Sequence, residues 1–195
     1  MANWFVAFKI PPEKWFQELV QQLPADLKAF HPEDLHLTIA FLGGLNLHLK
    51  SAIFDLLQKF YLDPLTITSS KFLFLPSEKK YSAICLDFRQ GFESVGLHDL
   101  FMETMHAIRN EILIVAQAEQ DMRNFLPHIT VARPGRNISS KDRHSMLLKI
   151  KQTSIPQIRI RLDTIGLYTW DDDRRTNSRG ISNFRQFKTV FEKQM

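Results

Sequence analysis

The residues best suited to chemistry occur in a motif that the chain contains twice, in residues 36–40 and 128–132. Both copies have the order His, apolar, Thr, apolar, Ala. Apolar and β-branched runs bounded by turn-forming residues are typical of β-strands. Because side chains alternate faces along a strand, the His, Thr and Ala of each copy are predicted to share one face. Each copy thus places an imidazole beside a hydroxyl on a stiff strand.

The chemistry that two such strands could perform is acid–base catalysis at phosphorus. Near neutral pH, one imidazole can accept a proton from an attacking oxygen while a second, protonated imidazole donates a proton to the leaving oxygen. His36 and His128 are therefore the candidate catalytic pair. The hydroxyls of Thr38 and Thr130 would donate hydrogen bonds to the non-bridging oxygens of the phosphate.

Arg133 is the candidate for charge-assisted binding of the same phosphate. Strict alternation, however, puts Arg133 on the opposite face of its strand from His128, just as it puts Phe41 on the apolar face of the first motif. A role for Arg133 therefore requires the strand to end or to bulge before it. The Pro-Gly pair that follows Arg133 favours such an irregularity.

Composition favours one domain that spans residues 1–195. The sequence is 44% hydrophobic and contains 16 Phe, which is enough for a sizeable core. The net charge of +4 is compatible with a phosphate-bearing partner. Cys85 is the only cysteine, so an intrachain disulfide is excluded, and its apolar neighbours predict a small buried hydrophobic residue. The sequence has no apolar stretch long enough for a membrane span, so we expect a cytoplasmic protein. We also expect a monomer.

No metal or cofactor is predicted. The sequence lacks a His-Glu-x-x-His motif, paired cysteines and a Gly-rich phosphate loop. The acidic run 171–173 has no ligand pattern around it and is interpreted as a solvated loop.

Hydrophobic periodicity and turn signals predict an α+β fold with mainly antiparallel sheets. Strands are expected at 4–10, 35–43, 65–68, 71–75, 81–88, 127–133, 158–162, 165–170 and 184–191. Helices are expected at 12–23, 47–61, 92–116 and from about 139 to 150. The duplicated motif further predicts two lobes of similar plan, and hence a bilobal domain of two sheets with flanking helices. A central cleft would carry one His-x-Thr motif from each lobe.

The two motifs, with Phe41-Leu42-Gly43 after the first and Ala132-Arg133 after the second, resemble the signature of the 2H phosphoesterases. Among these, the chain is most similar to the bacterial RNA 2′,3′-cyclic phosphodiesterases, also called 2′-5′ RNA ligases. The similarity covers most of residues 3–134. Asn3, where relatives commonly carry a basic residue, and residues 170–175 depart from the family pattern, which leaves the choice of substrate open.

This resemblance implies metal-independent opening of an RNA 2′,3′-cyclic phosphate to a 2′-phosphomonoester in a cleft between two lobes. It also implies that His36 donates a proton to the leaving 3′ oxygen and that His128 activates water, although the residues alone do not order these roles. The partner would be RNA or an oligonucleotide with a cyclic phosphate end. A phosphodiesterase for 2′-5′ oligonucleotides or small cyclic nucleotides, and a nucleotide- or RNA-binding module without significant turnover, are the alternatives.

Two basic clusters are candidates for contact with a nucleic-acid backbone, with a solvated surface as the alternative. The first contains Arg133, Arg136, Lys141, Arg143, Lys149 and Lys151, and the second contains Arg174, Arg175 and Arg179. Phe8 and Trp170 are candidates for stacking on a base, with burial in the core as the alternative.

Overall fold

The computed structural model describes residues 3–11, 13–89, 95–118, 124–135, 138–170 and 186–195. The strands are β1 (Trp4–Lys9), β2 (Leu27–Ala29), β3 (His36–Gly43), β4 (Leu65–Ser69), β5 (Phe72–Leu75), β6 (Ala83–Asp87), β7 (His128–Pro134), β8 (Ile158–Leu162), β9 (Thr164–Trp170) and β10 (Phe187–Gln194). The helices are α1 (Lys14–Gln22), α2 (Leu47–Lys59), α3 (Val95–Val115) and α4 (Ser140–Gln152), with a single 3-10 turn at Pro32–Asp34. None of the described helices is both long and apolar enough to span a membrane.

Eight strands form one antiparallel sheet in the order β10-β9-β1-β3-β7-β6-β5, with β2 also paired to β7. The remaining two strands, β4 and β8, form a separate antiparallel ribbon. The predicted α+β class with antiparallel sheets and four helices is confirmed.

The large sheet consists of two four-stranded halves that meet at the motif strands. The first half is β10-β9-β1-β3 and the second is β5-β6-β7-β2. Within the described strands, one pair of residues, Leu37 and Ile129, is in register between β3 and β7. The prediction placed the two motif strands in separate sheets, whereas both lie in the same sheet. Along one edge, β7 pairs with β3 at Ile129 and with β2 at residues 132–134, so both motif strands lie in one sheet.

The helices are positioned by capping and by burial of one face. Asn46 caps α2 by accepting a hydrogen bond from the backbone N–H of Leu49 at 2.9 Å, and Ser139 caps α4 in the same way through Asp142. The long helix α3 packs against β3 and α2, and its inward residues Met105 and Ile112 are fully buried. The core thus lies on the face of the sheet that the helices cover.

Most predicted elements are present, with boundaries shifted by a few residues. Two elements were not predicted, β2 and the 3-10 turn. Both lie between α1 and β3, where the sequence analysis expected no helix or strand. A strand of three residues carries too little alternation to be recognised, and β2 exists because it pairs with β7. The predicted starts of α3, at 92, and of β10, at 184, lie outside the described residues.

In the first half of the sheet, the close packing around Gly166 in β9 predicts that a larger residue there destabilises the fold. A Cβ atom there would lie 2.6 Å from the backbone oxygen of Phe191 and 2.6 Å from the hydroxyl of Tyr168. Since the backbone oxygen belongs to the neighbouring strand β10, it cannot move without disturbing the pairing. We expect Gly166→Ala to lower the free energy of unfolding by about 1–3 kcal/mol, measured by urea denaturation.

The control is Gly135→Ala, because a Cβ at Gly135 would have its nearest contact at an ordinary 3.5 Å, with Ile138. Equal midpoints for the two variants would contradict the close approach of β10 to β9.

Candidate functional site

The first motif strand contains a β-bulge that decides which side chains reach the site. Across β1 and β3, Ala7 pairs with Thr38 but Val6 pairs with Ala40, so Ile39 is the extra residue. Both Ile39 and Ala40 are consequently buried, and Phe41, 50% exposed, lines the same cavity as Thr38. The prediction that Phe41 shares the apolar face was therefore wrong, as was the placement of Ala40 beside the histidine. Alternation fails at this point because the bulge adds one residue to β3.

The second motif strand has a bulge at the equivalent position. Cys85 pairs with Thr130 and Ile84 pairs with Ala132, which leaves Val131 as the extra residue. Val131 and Ala132 are fully buried, so the predicted placement of Ala132 beside His128 was also wrong. Arg133 then turns to the face of Thr130. The irregularity that a role for Arg133 requires is therefore present, and Arg133 occupies the position in β7 that Phe41 occupies in β3.

One cavity of about 410 Å³ brings all five candidate site residues together. Its polar wall is formed by His36, Thr38, His128, Thr130 and Arg133. The remaining wall is largely aromatic and includes Trp4, Phe5, Phe30, Phe41, Trp170 and Phe187. A concave, mostly apolar site with a few convergent polar groups is the typical form of a small-molecule binding site.

Both imidazoles are held in the same way by the residue two positions before them. Nδ1 of His36 lies 2.6 Å from the backbone oxygen of Asp34, and Nδ1 of His128 lies 2.7 Å from that of Leu126. Because a carbonyl oxygen only accepts, Nδ1–H must be the donor in each ring. The neutral form of each histidine therefore carries its free lone pair on Nε2, which is the atom left for proton transfer.

The surroundings of the two imidazoles differ. His36 packs against Phe5, with ring centroids 4.9 Å apart, and against Phe187, whose ring is perpendicular to the imidazole at a centroid distance of 5.0 Å. Burial lowers the pKa of His36 to about 4, the Asp34 carbonyl partly opposes this, and the positive charges of His128 and Arg133 lower it further. His36 is thus neutral at neutral pH.

His128 carries a smaller penalty for protonation. Burial lowers its pKa too, but the Leu126 carbonyl and the negative charge of Asp87 raise it. Asp87 pairs with His128 across β6 and β7. In the free protein the proton is therefore held more readily by His128 than by His36.

Arg133 and Thr130 are positioned by neighbours that sequence patterns did not reveal. The Arg133 guanidinium lies over the ring of Phe30, 5.1 Å from its centroid, in a cation–π arrangement. The Thr130 hydroxyl lies 3.4 Å from Sγ of Cys85. Burial raises the pKa of Cys85 to about 12, so the group is a thiol and not a nucleophile. The prediction that Cys85 is a small buried residue is confirmed.

Comparison with known proteins finds one family match and several structures of the same fold. Residues 8–85, about two fifths of the chain, match the family described as LigT like Phosphoesterase. The structure of Escherichia coli LigT complexed with 3′-AMP matches with a TM-score of 0.64 at 16% identity, covering 100% of this chain and 98% of that one. The chain has the LigT-like fold. The resemblance to this group of phosphoesterases is thereby confirmed.

Further solved structures share the fold. A structure described as a phosphoesterase has a TM-score of 0.63 at 17% identity, and covers 100% of this chain and 98% of its own. A Thermus thermophilus protein has a TM-score of 0.60 at 17% identity, with 100% and 97% coverage. No curated protein matches the sequence. At such identities the structures establish that the LigT-like fold extends over the whole chain.

Sequence reasoning missed most of the aromatic wall of this site. Phe5, Phe30, Phe41 and Phe187 all line the cavity. The one available signal was that Phe41 and Arg133 each follow a motif histidine by five residues. Of the two residues predicted to stack on a base, Trp170 lines the cavity, whereas Phe8 is fully buried in the core.

The basic clusters are only partly available to a partner. Arg143 donates to the backbone oxygen of Tyr81 and lies over the Tyr81 ring, while the Tyr81 hydroxyl donates to the Arg143 carbonyl at 2.9 Å. Lys151 pairs with Glu78 at 2.7 Å. The second cluster, Arg174, Arg175 and Arg179, lies outside the described residues, as do Arg136 and the acidic run 171–173. Among the described residues there is no group of three His, Cys, Asp or Glu side chains that could hold a metal ion.

The depressed pKa of His36 generates a prediction for acid stability. Between about pH 6.5 and pH 4 the unfolded chain protonates this histidine while the folded protein keeps it neutral. The unfolded state then binds more protons, so the free energy of unfolding falls as the pH drops through this window. The contribution of His36 is about 2 kcal/mol between pH 7.5 and pH 4.5.

The measurement is chemical denaturation of the wild type and His36→Asn at both pH values. Asn retains a donor for the Asp34 carbonyl but does not titrate, so the variant should lose less stability on acidification. His144→Asn, at an exposed position, is the matched control and should behave as the wild type. An identical acid loss in His36→Asn and the wild type would exclude the buried neutral imidazole.

Proposed function

We propose that this LigT-like phosphoesterase hydrolyses RNA 2′,3′-cyclic phosphate ends to 2′-phosphomonoesters without a metal ion. The observation that carries the proposal is the single cavity lined by both His-x-Thr motifs. In each motif the Nδ1 atom is already engaged by a backbone carbonyl, so two Nε2 atoms remain for one acid and one base. Two fixed imidazoles of opposite protonation state are what an in-line displacement at phosphorus needs.

The side chains divide the reaction between them. One imidazole takes a proton from water as its oxygen attacks phosphorus, and the other gives a proton to the 3′ oxygen as the P–O3′ bond breaks. The hydroxyls of Thr38 and Thr130 donate hydrogen bonds to the non-bridging oxygens, whose negative charge increases in the transition state. Arg133 adds charge-assisted hydrogen bonds to the same oxygens.

We assign the base role to His36 and the acid role to His128. Packing against the rings of Phe5 and Phe187 keeps His36 neutral, and the neutral imidazole is the form that accepts a proton. Burial lowers the pKa of His128 as well, but the Leu126 carbonyl and the Asp87 carboxylate oppose this effect, so a proton is held there more readily than on His36. This order is the reverse of the one that the family resemblance implied.

The aromatic wall supports a nucleotide as the substrate class. Phe41 and Trp170 offer ring faces on the same cavity as the phosphate-binding groups, and nucleobases stack on such rings without strong sequence preference. The matched Escherichia coli LigT structures include complexes with 3′-AMP, ATP and NADP+. A nucleotide partner for this chain is compatible with those complexes. The proposed reaction requires a 2′,3′-cyclic phosphate, and this group is carried by an RNA end.

The first test is turnover of an oligonucleotide with a 2′,3′-cyclic phosphate, with EDTA present, from pH 5 to pH 9. We expect a 2′-phosphate product by phosphorus NMR and a bell-shaped rate profile. His36→Ala and His128→Ala should each lower kcat by about 10²–10⁴-fold, since each removes one proton transfer. His144→Ala is the surface control and should retain wild-type turnover. Tight nucleotide binding without product would favour a binding module, and faster cleavage of a 2′-5′ dinucleotide would change the substrate class.

The acid and base can be separated with a nucleoside phosphodiester whose leaving group is p-nitrophenolate. That leaving group departs without a proton, so the loss of the acid is tolerated and the loss of the base is not. On this substrate we expect His128→Ala to recover most of the wild-type rate, while His36→Ala stays slow. The opposite pattern would restore His36 as the proton donor.

The cation–π contact between Arg133 and Phe30 leads to a separate kinetic prediction. Arg133→Lys keeps the charge but loses the planar fork that both stacks on Phe30 and binds two phosphate oxygens, so we expect kcat/KM to fall about 10–100-fold. Phe30→Leu keeps Arg133 and removes only the ring face, and should cost a few-fold. Steady-state kinetics of both variants on the cyclic phosphate provides the measurement. A fully active Arg133→Lys would remove the bidentate contact from the mechanism.

A further inference from the structure

A buried carboxylate joins the first motif to the far edge strand of the same half of the sheet. The Asp34 side chain, in a residue only 2% exposed, accepts hydrogen bonds from the backbone N–H groups of Gln186 and Phe187, at 2.5 and 3.3 Å. These two residues begin β10, which is more than 150 positions away in the sequence. Burying a carboxylate is costly unless it is hydrogen-bonded, so these contacts define where β10 starts.

The two motifs provide an internal control for what this carboxylate does. Asp34 precedes His36 by two residues, and Leu126 precedes His128 by two residues. Both use their backbone carbonyl to accept from Nδ1 of the histidine. Because an apolar side chain suffices at Leu126, orientation of the imidazole does not require the carboxylate of Asp34. Its side chain must therefore serve another purpose.

That purpose is visible in the contacts of Phe187. Its ring meets the His36 imidazole edge-on at 5.0 Å and the Phe5 ring at 5.0 Å, and it packs on Trp170 at 4.8 Å. Phe187 also lines the cavity. The backbone N–H of this residue is one of the two that Asp34 holds, so the position of the ring depends on the carboxylate.

We propose that Asp34 is a positioning residue that acts on His36 from two sides, through its carbonyl on Nδ1 and through its carboxylate on Phe187. The carboxylate fixes the start of β10, and β10 then supplies the Phe187 ring, which keeps water from one side of the imidazole. The kinetic part of this inference rests on the proposed function, in which His36 is catalytic, whereas the structural part does not.

The informative variant is Asp34→Asn. An amide has the same shape but only one accepting oxygen, and its NH2 group would face a backbone N–H. The backbone carbonyl that holds Nδ1 of His36 is unchanged. Loss of the second hydrogen bond should release Phe187 and admit water to His36.

A matched control exists at the other end of the same strand. Lys193 anchors β10 to the end of α2 by donating to the backbone oxygens of Gln58 and Phe60, at 2.7 and 2.5 Å. Lys193 lies six residues beyond Phe187, about 20 Å along a strand. Lys193→Met therefore loosens β10 without touching His36.

The experiment is a pH titration of the imidazoles by 1H–15N NMR in the full chain, together with kcat and KM on the cyclic phosphate. In Asp34→Asn we expect the pKa of His36 to rise from about 4 toward 6.5, while that of His128 changes little. We expect kcat to fall by about 10–100-fold, as for a displaced catalytic group. In Lys193→Met neither histidine pKa nor kcat should change beyond about twofold. The other charges that act on His36, those of His128 and Arg133, are present in both variants.

An unchanged His36 pKa in folded Asp34→Asn would overturn the proposal, as would equal shifts in Asp34→Asn and Lys193→Met. If Asp34→Asn does not fold, Phe187→Leu tests the second step of the inference, from the ring to the imidazole, because it removes the ring and leaves the carboxylate in place. An unchanged His36 pKa in Phe187→Leu would then overturn it. Full activity of His36→Ala would contradict the catalytic role of His36. The pKa of His36 measured by NMR would then test by itself whether Asp34 positions Phe187.

Discussion

One cross-strand pair, Leu37 with Ile129, joins the two halves of the large sheet, and the arrangement of the site depends on it. Both residues are fully buried and lie directly after a motif histidine. Each half is well paired within itself, but β3 and β7 are in register only at this position, so the motif strands diverge on either side. Because each member of the pair directly follows a motif histidine, the pair holds His36 and His128 close enough to line one cavity. Without that pair, each half would still have its own strands but no shared site.

The electrostatic design of the site follows from different packing around two similar strands. The first half surrounds its histidine with phenyl rings, and the second places a carboxylate across from its histidine. Apolar surroundings disfavour an added proton, and a nearby negative charge favours it. Burial lowers the pKa of both histidines, but two copies of one motif thus come to hold a proton with different ease, without any change in the motif itself.

Much of the fold and site could be predicted from sequence because the signals were local. The duplicated His-x-Thr pattern located both motif strands, and hydrophobic periodicity located the four helices. Long-range features could not be predicted: the bulges at Ile39 and Val131 arise from register with the neighbouring strands, and alternation gives no sign of them. The roles of Phe187 and Asp34 likewise depend on contacts between the first motif and the last strand.

The paired bulges have a consequence for how a substrate can enter. They turn the sixth residue of each motif strand toward the cavity, and these residues are a phenyl ring in one half, Phe41, and a guanidinium in the other, Arg133. The backbone is nearly symmetric there, but the two side chains are not equivalent. A molecule with an anionic end and a flat aromatic end satisfies both in one direction only, and the reverse direction sets charge against the ring. In the proposed function, this difference between Phe41 and Arg133 selects the polarity of the bound strand.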